Sequence, residues 1–184
     1  DMLKKYNVGI VDNLFYDDLY INYDDIYTLF RLFKYLNIDL QLIMQTKRGR
    51  SIEILKDLNV NNFCLNDEKG DFSKLECADL IISIGWQSAA LKSAFMFNKP
   101  LLFYTKNGYP YKGHIFSFNK NKNKDMNQYC NFLWFNEKTF KKNLEEFFIY
   151  KEFYLKVKEN SSKLLKDIGF CNLDLNYCFN KYFN

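Results

Sequence analysis

The residues best placed to do chemistry sit in short turns that each follow an apolar run. The first is Gly85-Trp86-Gln87-Ser88, between the continuous run Asp79-Leu-Ile-Ile-Ser-Ile-Gly85 and a stretch holding Ala89, Ala90 and Ala94. Gly85 lets the backbone turn sharply out of a buried strand, and Gln87 and Ser88 fall at the N-cap and first turn of the next helix. Unpaired N–H groups and the helix dipole favour a phosphate there, and the Ser88 hydroxyl can add one hydrogen bond. The plainer reading makes Ser88 an N-cap and nothing more. The second turn is Thr46-Lys47-Arg48-Gly49-Arg50. Its three cations suit an oxyanion, which Arg48 can grip with two parallel bonds; alone, it reads as a solvated basic turn. On two loops at one sheet edge, the two signals together favour an anion site.

Other candidates are thinner. His114 is the only histidine, in the polar loop Tyr109-Pro110-Tyr111-Lys112-Gly113-His114, where it can touch phosphate, act as acid or base, or simply be solvated. Asp12, Asp17 and Asp18 crowd one loop and read more simply as solvated carboxylates than as an acidic pocket. Five cysteines, with no C-x-x-C pair and one histidine, do not make a zinc site; Cys64 and Cys77 stand in apolar contexts and read as core or near-core thiols. There is no Walker motif, no G-x-G-x-x-G, no G-x-S-x-G and no D-x-D pair for a divalent metal.

The elements that must hold these turns alternate along the chain. Residues 6–12, 38–45, 61–66, 79–85, 101–104 and 131–135 read as strands. Helices are expected over 24–36, over 52–58 with Ser51 as cap, over 88–97, and from 137 to about 168 in two pieces broken near Asn160-Ser161. A turn or two of helix falls at 72–77, and 106–128 reads as a loop or lid. The pattern predicts one α/β domain over 1–184, a Rossmann-like parallel sheet of about six strands with helices on both faces and a helical segment over 137–184. Ligands of such sheets bind outside the carboxyl ends of the strands, which directs attention to loops 12–24, 46–51 and 85–88.

Composition narrows the function classes. With 26 basic against 22 acidic residues the net charge is +4, too balanced for a dedicated nucleic-acid binder. No run approaches eighteen apolar residues and no signal peptide is visible, so a cytoplasmic protein is expected. In 137–168, Phe147, Phe148, Phe153 and Tyr154 alternate with Lys151, Lys156 and Lys158. That is either a packed amphipathic helix or a contact with the inner, anionic face of a membrane.

The stretch Cys77-Ala-Asp-Leu-Ile-Ile-Ser-Ile-Gly-Trp-Gln-Ser-Ala-Ala-Leu-Lys-Ser-Ala-Phe-Met-Phe-Asn-Lys-Pro-Leu-Leu-Phe-Tyr104 resembles the donor-binding half of GT-B glycosyltransferases. It looks most similar to bacterial surface-polysaccharide transferases that use CMP-activated sialic acid or Kdo. The resemblance implies a nucleotide-sugar donor held at Lys47, Arg48, Gly85, Gln87 and Ser88, a glycan or lipid-linked acceptor, and no metal or other cofactor. Gln87-Ser88 stands where that family often has a Ser/Thr pair, and no His-Pro follows the second strand. No ribose-holding glutamate is evident, which turns the expectation away from UDP- and GDP-sugars. Only one Rossmann half fits in this length, so an amino-terminal acceptor half is expected to be missing, and with it the catalytic base unless His114 serves. The rival readings are a polyol-phosphate transferase acting on CDP-glycerol and a non-catalytic nucleotide- or sugar-binding module.

Overall fold

The computed structural model describes residues 5–12, 23–36, 38–46, 50–66, 72–84, 88–105, 132–134 and 137–167. In chain order these give β1 (Tyr6–Asp12), α1 (Tyr23–Tyr35), β2 (Leu40–Thr46), α2 (Arg50–Asp57) and β3 (Phe63–Leu65). A 3-10 turn (Ser73–Cys77) leads into β4 (Leu80–Ile84), α3 (Ser88–Met96), β5 (Leu101–Thr105) and β6 (Phe132–Trp134). Two helices close the described chain, α4 (Glu137–Ile149) and α5 (Lys151–Asp167).

The strands form one sheet in the order β3-β2-β1-β4-β5-β6, and every neighbouring pair is parallel. The chain starts mid-sheet, builds outward to β3, returns beside β1 with β4 and builds outward the other way. Period-two alternation sends Val8, Ile10, Leu42, Met44, Ile82 and Tyr104 to one face, where they pack against α1, α2 and α4. Val11, Ile43, Ile81, Leu101 and Phe103 face the other way, against α3 and the 3-10 turn. The expected α/β architecture with both faces covered is the observed one.

Local chemistry explains the fit of the elements. The alanines of α3 do what small residues allow: Ala90 and Ala94 are buried flat against the sheet. Gly9 of β1 is needed for the same closeness, since a Cβ there would stand 2.7 Å from Leu75 Cδ2 in the 3-10 turn. Both α2 and α3 end on an asparagine in the left-handed region, Asn59 (φ 54°) and Asn98 (φ 52°). In each case the next N–H reaches back five residues, Val60 to Leu55 O and Lys99 to Ala94 O, satisfying carbonyls that the helix end would leave open.

Several expectations are corrected. The break between the last two helices falls at Tyr150, not near Asn160-Ser161, because Ser161 is buried in mid-helix and back-bonds to Val157 O at 2.7 Å. Ser51 is not a cap: α2 already includes Arg50, and Ser51 is fully buried within it. Cys77, expected in or near the core, is exposed at the end of the 3-10 turn; Cys64 is near-core as expected, half-buried against the second core face. The aromatic stripe of the last helices follows the expected packed amphipathic helix, with Phe147 and Phe148 buried and Phe153 and Tyr154 half-buried against the core. The expected loop or lid at 106–128 lies outside the described residues.

Helix α5 crosses the sheet at its amino edge. Val157 joins the core of one face, and Leu164 and Leu165 join that of the other. Between them Ser161 Oγ accepts the N–H of Leu101, the first residue of β5, at 2.9 Å. The floor of the domain is thus tied down, and the opposite edge is where the connections singled out by sequence emerge.

Candidate functional site

Three adjacent strands, β2, β1 and β4, end together at the carboxyl edge. Asp12, the last residue of β1, pairs in register with Thr46, the last of β2. On the other side Val11 is level with Ser83, one residue before β4 ends. The connections leaving these ends are residues 13–22, 47–49 and 85–87, the loops suspected from sequence. Between β1 and β4 the order of the sheet reverses, which is where ligands of open parallel sheets bind. Only residues 85–87 separate β4 from the first turn of α3, so the start of that helix lies within about 14 Å of Ile84. Four N–H groups of its first turn have no partner within the helix.

Of the candidate side chains, Lys47, Arg48, Gly85, Gln87 and His114 lie outside the described residues. Ser88 is the first residue of α3; its backbone is described, its side chain is not. Asp17 and Asp18 also lie outside, and of Asp12 only the backbone is described. What the fold brings together is therefore the strand ends that carry the first two signals, on the neighbouring strands β2, β1 and β4.

Sequence reasoning missed a buried polar pair at this edge. Asn66, 3% exposed, follows β3 and donates from Nδ2 to Gln45 Oε1 at 2.6 Å, while its N–H extends the ladder to Met44 O. Gln45 is the last residue but one of β2, so the pair braces the strand end that leads into the basic turn. An asparagine closing an apolar strand was the available signal. At the amino edge the equivalent brace is Asp79, which accepts the N–H of Asn7 at 2.9 Å. There too, burial and then the Asp79 carboxylate push the Tyr154 hydroxyl above its ordinary 10.0. A cleft of about 340 Å³ between the ends of α1 and α2, lined by Phe33, Leu36, Asp39 and Asn62, also opens at the amino edge, away from the anion loops. Among the described residues no cluster of three or more His, Cys, Asp or Glu could hold a metal.

No family model matches the chain, and no curated protein matches it. Solved structures do resemble it. S. aureus MnaA, solved with UDP, matches over 98% of this chain and 48% of its own, with a TM-score of 0.56 at 14% identity. The C-terminal domain of the glycosyl transferase group 1 family protein LpcC from Francisella tularensis matches over 88% of this chain and 85% of its own (TM-score 0.55, 12% identity). The wall teichoic acid polymerase TagF matches over 96% of this chain and 42% of its own (TM-score 0.56, 14% identity). The chain spans about half the length of the first of these. At such identities the likeness is one of fold: this chain shares the Rossmann-like α/β architecture of these structures.

Proposed function

We propose that the chain is the donor-binding half of a GT-B glycosyltransferase of bacterial surface-polysaccharide assembly, taking a CMP-activated acidic sugar. The observation that carries this reading is the start of α3 at the reversal point of the sheet, on the same edge as the end of β2 that leads into Lys47-Arg48, with β1 between them. A helix start offers N–H donors and a positive dipole end to the donor phosphate, and the two cations supply the remaining countercharge. Departure of the nucleotide during transfer leaves negative charge on that same phosphate, so these groups also stabilise the transition state. Ser88 adds a hydroxyl. The UDP in the MnaA structure supports a nucleotide as the ligand class. Acceptor binding and the catalytic base belong to a companion half, consistent with a chain that spans about half of MnaA.

The wall teichoic acid polymerase among the neighbours favours a second reading, a polyol-phosphate transferase acting on CDP-glycerol. Thermal stability measured with CMP, CDP-glycerol and UDP separates the readings. Stabilisation greatest with CMP or a CMP-sugar is expected; preference for CDP-glycerol supports the second reading. Stabilisation by none of the three removes both.

A further inference from the structure

Among the described residues, five large hydrophobic side chains stand in solvent: Tyr35, Met96, Ile149, Tyr150 and Leu155. Three of them fall within residues 149–155, around one elbow. Ile149 closes α4, Tyr150 is the single residue between the helices, and Leu155 lies about one turn into α5. They are 65%, 59% and 51% exposed, although the preceding Phe147 and Phe148 are buried. A cleft of about 630 Å³ opens at the same place, lined by Ile149, Tyr150, Phe153 and the lysines Lys151 and Lys156, with Glu152 as its one acid.

Helix α5 buries Val157, Ser161, Leu164 and Leu165. Its exposed positions are Lys151, Glu152, Leu155, Lys156, Glu159, Lys163 and Lys166, four cations against two anions. The outer surface is therefore apolar at the elbow and carries more cations than anions along its length, with Glu152 and Glu159 among the lysines. It also lies away from the donor site. Tyr6, which opens β1 at the amino edge, donates its hydroxyl to Phe148 O at 3.1 Å, and Ser161 meets the first residue of β5. Whatever covers the elbow leaves the carboxyl edge open.

We propose that the α4–α5 elbow and the outer face of α5 dock on an anionic lipid surface, with Ile149, Tyr150 and Leu155 entering the interface and the lysines meeting lipid phosphates. Three side chains fall well short of the roughly 800 Å² per partner that a stable protein interface buries. A bilayer asks for less: a short apolar tip, a tyrosine at headgroup level and cations nearby. No helix among the described residues is long and apolar enough to cross a membrane. This inference stands independently of which nucleotide the other edge binds.

Co-sedimentation of the whole chain with phosphatidylcholine vesicles, with and without phosphatidylglycerol, tests it. Binding is expected only with phosphatidylglycerol and should weaken as salt rises. Tyr150→Ser with Leu155→Ser, and separately Lys156→Glu with Lys163→Glu, should each reduce partitioning by about tenfold or more. Met96→Ser, at an equally exposed hydrophobe on another helix, should leave it unchanged. Absence of binding to anionic vesicles at low salt overturns the proposal, as does equal binding by wild type and both double variants. A concentration-dependent dimer in sedimentation velocity, lost in the Tyr150/Leu155 variant, would assign the surface to a second copy instead.

Discussion

Replacing Ser161 by alanine tests how α5 is held to the sheet. The Ser161 hydroxyl lies 2.7 Å from Val157 O and 3.3 Å from Leu101 O, and its oxygen accepts the Leu101 N–H at 2.9 Å. Leu101 precedes the β5–β6 pairing, which begins at Phe103 and Phe132, so the serine takes the place of a neighbouring strand. Leu101 is fully buried and no water reaches that N–H once the acceptor is gone. Stranding a buried donor costs about 1–3 kcal/mol, against a helix-propensity gain of about 0.5 kcal/mol for alanine over serine. The expected net loss is about 1–2 kcal/mol in urea denaturation, a fall in Tm of roughly 2–8 °C for a chain of this size. Ser162→Ala is the control: it receives the same propensity gain without touching Leu101. Amide exchange at Leu101 should quicken in Ser161→Ala alone. Equal stability of the two variants, within about 0.3 kcal/mol, would refute the reasoning.

Three further outcomes are expected. Gly9→Val should destabilise the fold by about 1–3 kcal/mol in the same denaturation assay, because even its Cβ would press on the fully buried Leu75. The raised native pKa of Tyr154 means that the folded state holds this proton more tightly than the unfolded chain. That contribution is complete below about pH 10 and is lost as pH rises through the higher native value, so Tyr154→Phe should lose less stability than wild type between pH 9 and 11 (approximate bounds). Because the sequence has no D-x-D pair, nucleotide stabilisation should survive EDTA, and a loss restored by Mn²⁺ would contradict the phosphate site as drawn.

Alternation made the sheet legible. The unbroken apolar run at 80–84 marked a central buried strand, and β4 does sit between β1 and β5. Strand order was not readable, since nothing in the pattern says that the chain returns to β1 after β3. The helix break was misread because Asn160-Ser161-Ser162 has the composition of a turn, whereas Ser161 satisfies itself on Val157 and then serves Leu101, a contact sixty residues away in sequence. Cys77 looked apolar by its neighbours but ends a short 3-10 turn at the surface. The Gln45–Asn66 pair was missed for the same reason as the serine: it is a tertiary contact between polar residues, hinted at only by an asparagine closing an apolar strand. For the candidate site, the sequence pointed to loops, and the fold shows that they leave neighbouring strands at one edge.

The central claim is that a nucleotide phosphate sits at the start of α3 beside the basic turn. The direct measurement is a CMP titration followed by thermal and chemical stability, for wild type, Ser88→Ala and Arg48→Ala. Wild type should gain about 2.7 kcal/mol at a hundredfold excess over its Kd, and each variant should need a higher concentration for the same gain. Identical CMP stabilisation in wild type and both variants would contradict the account.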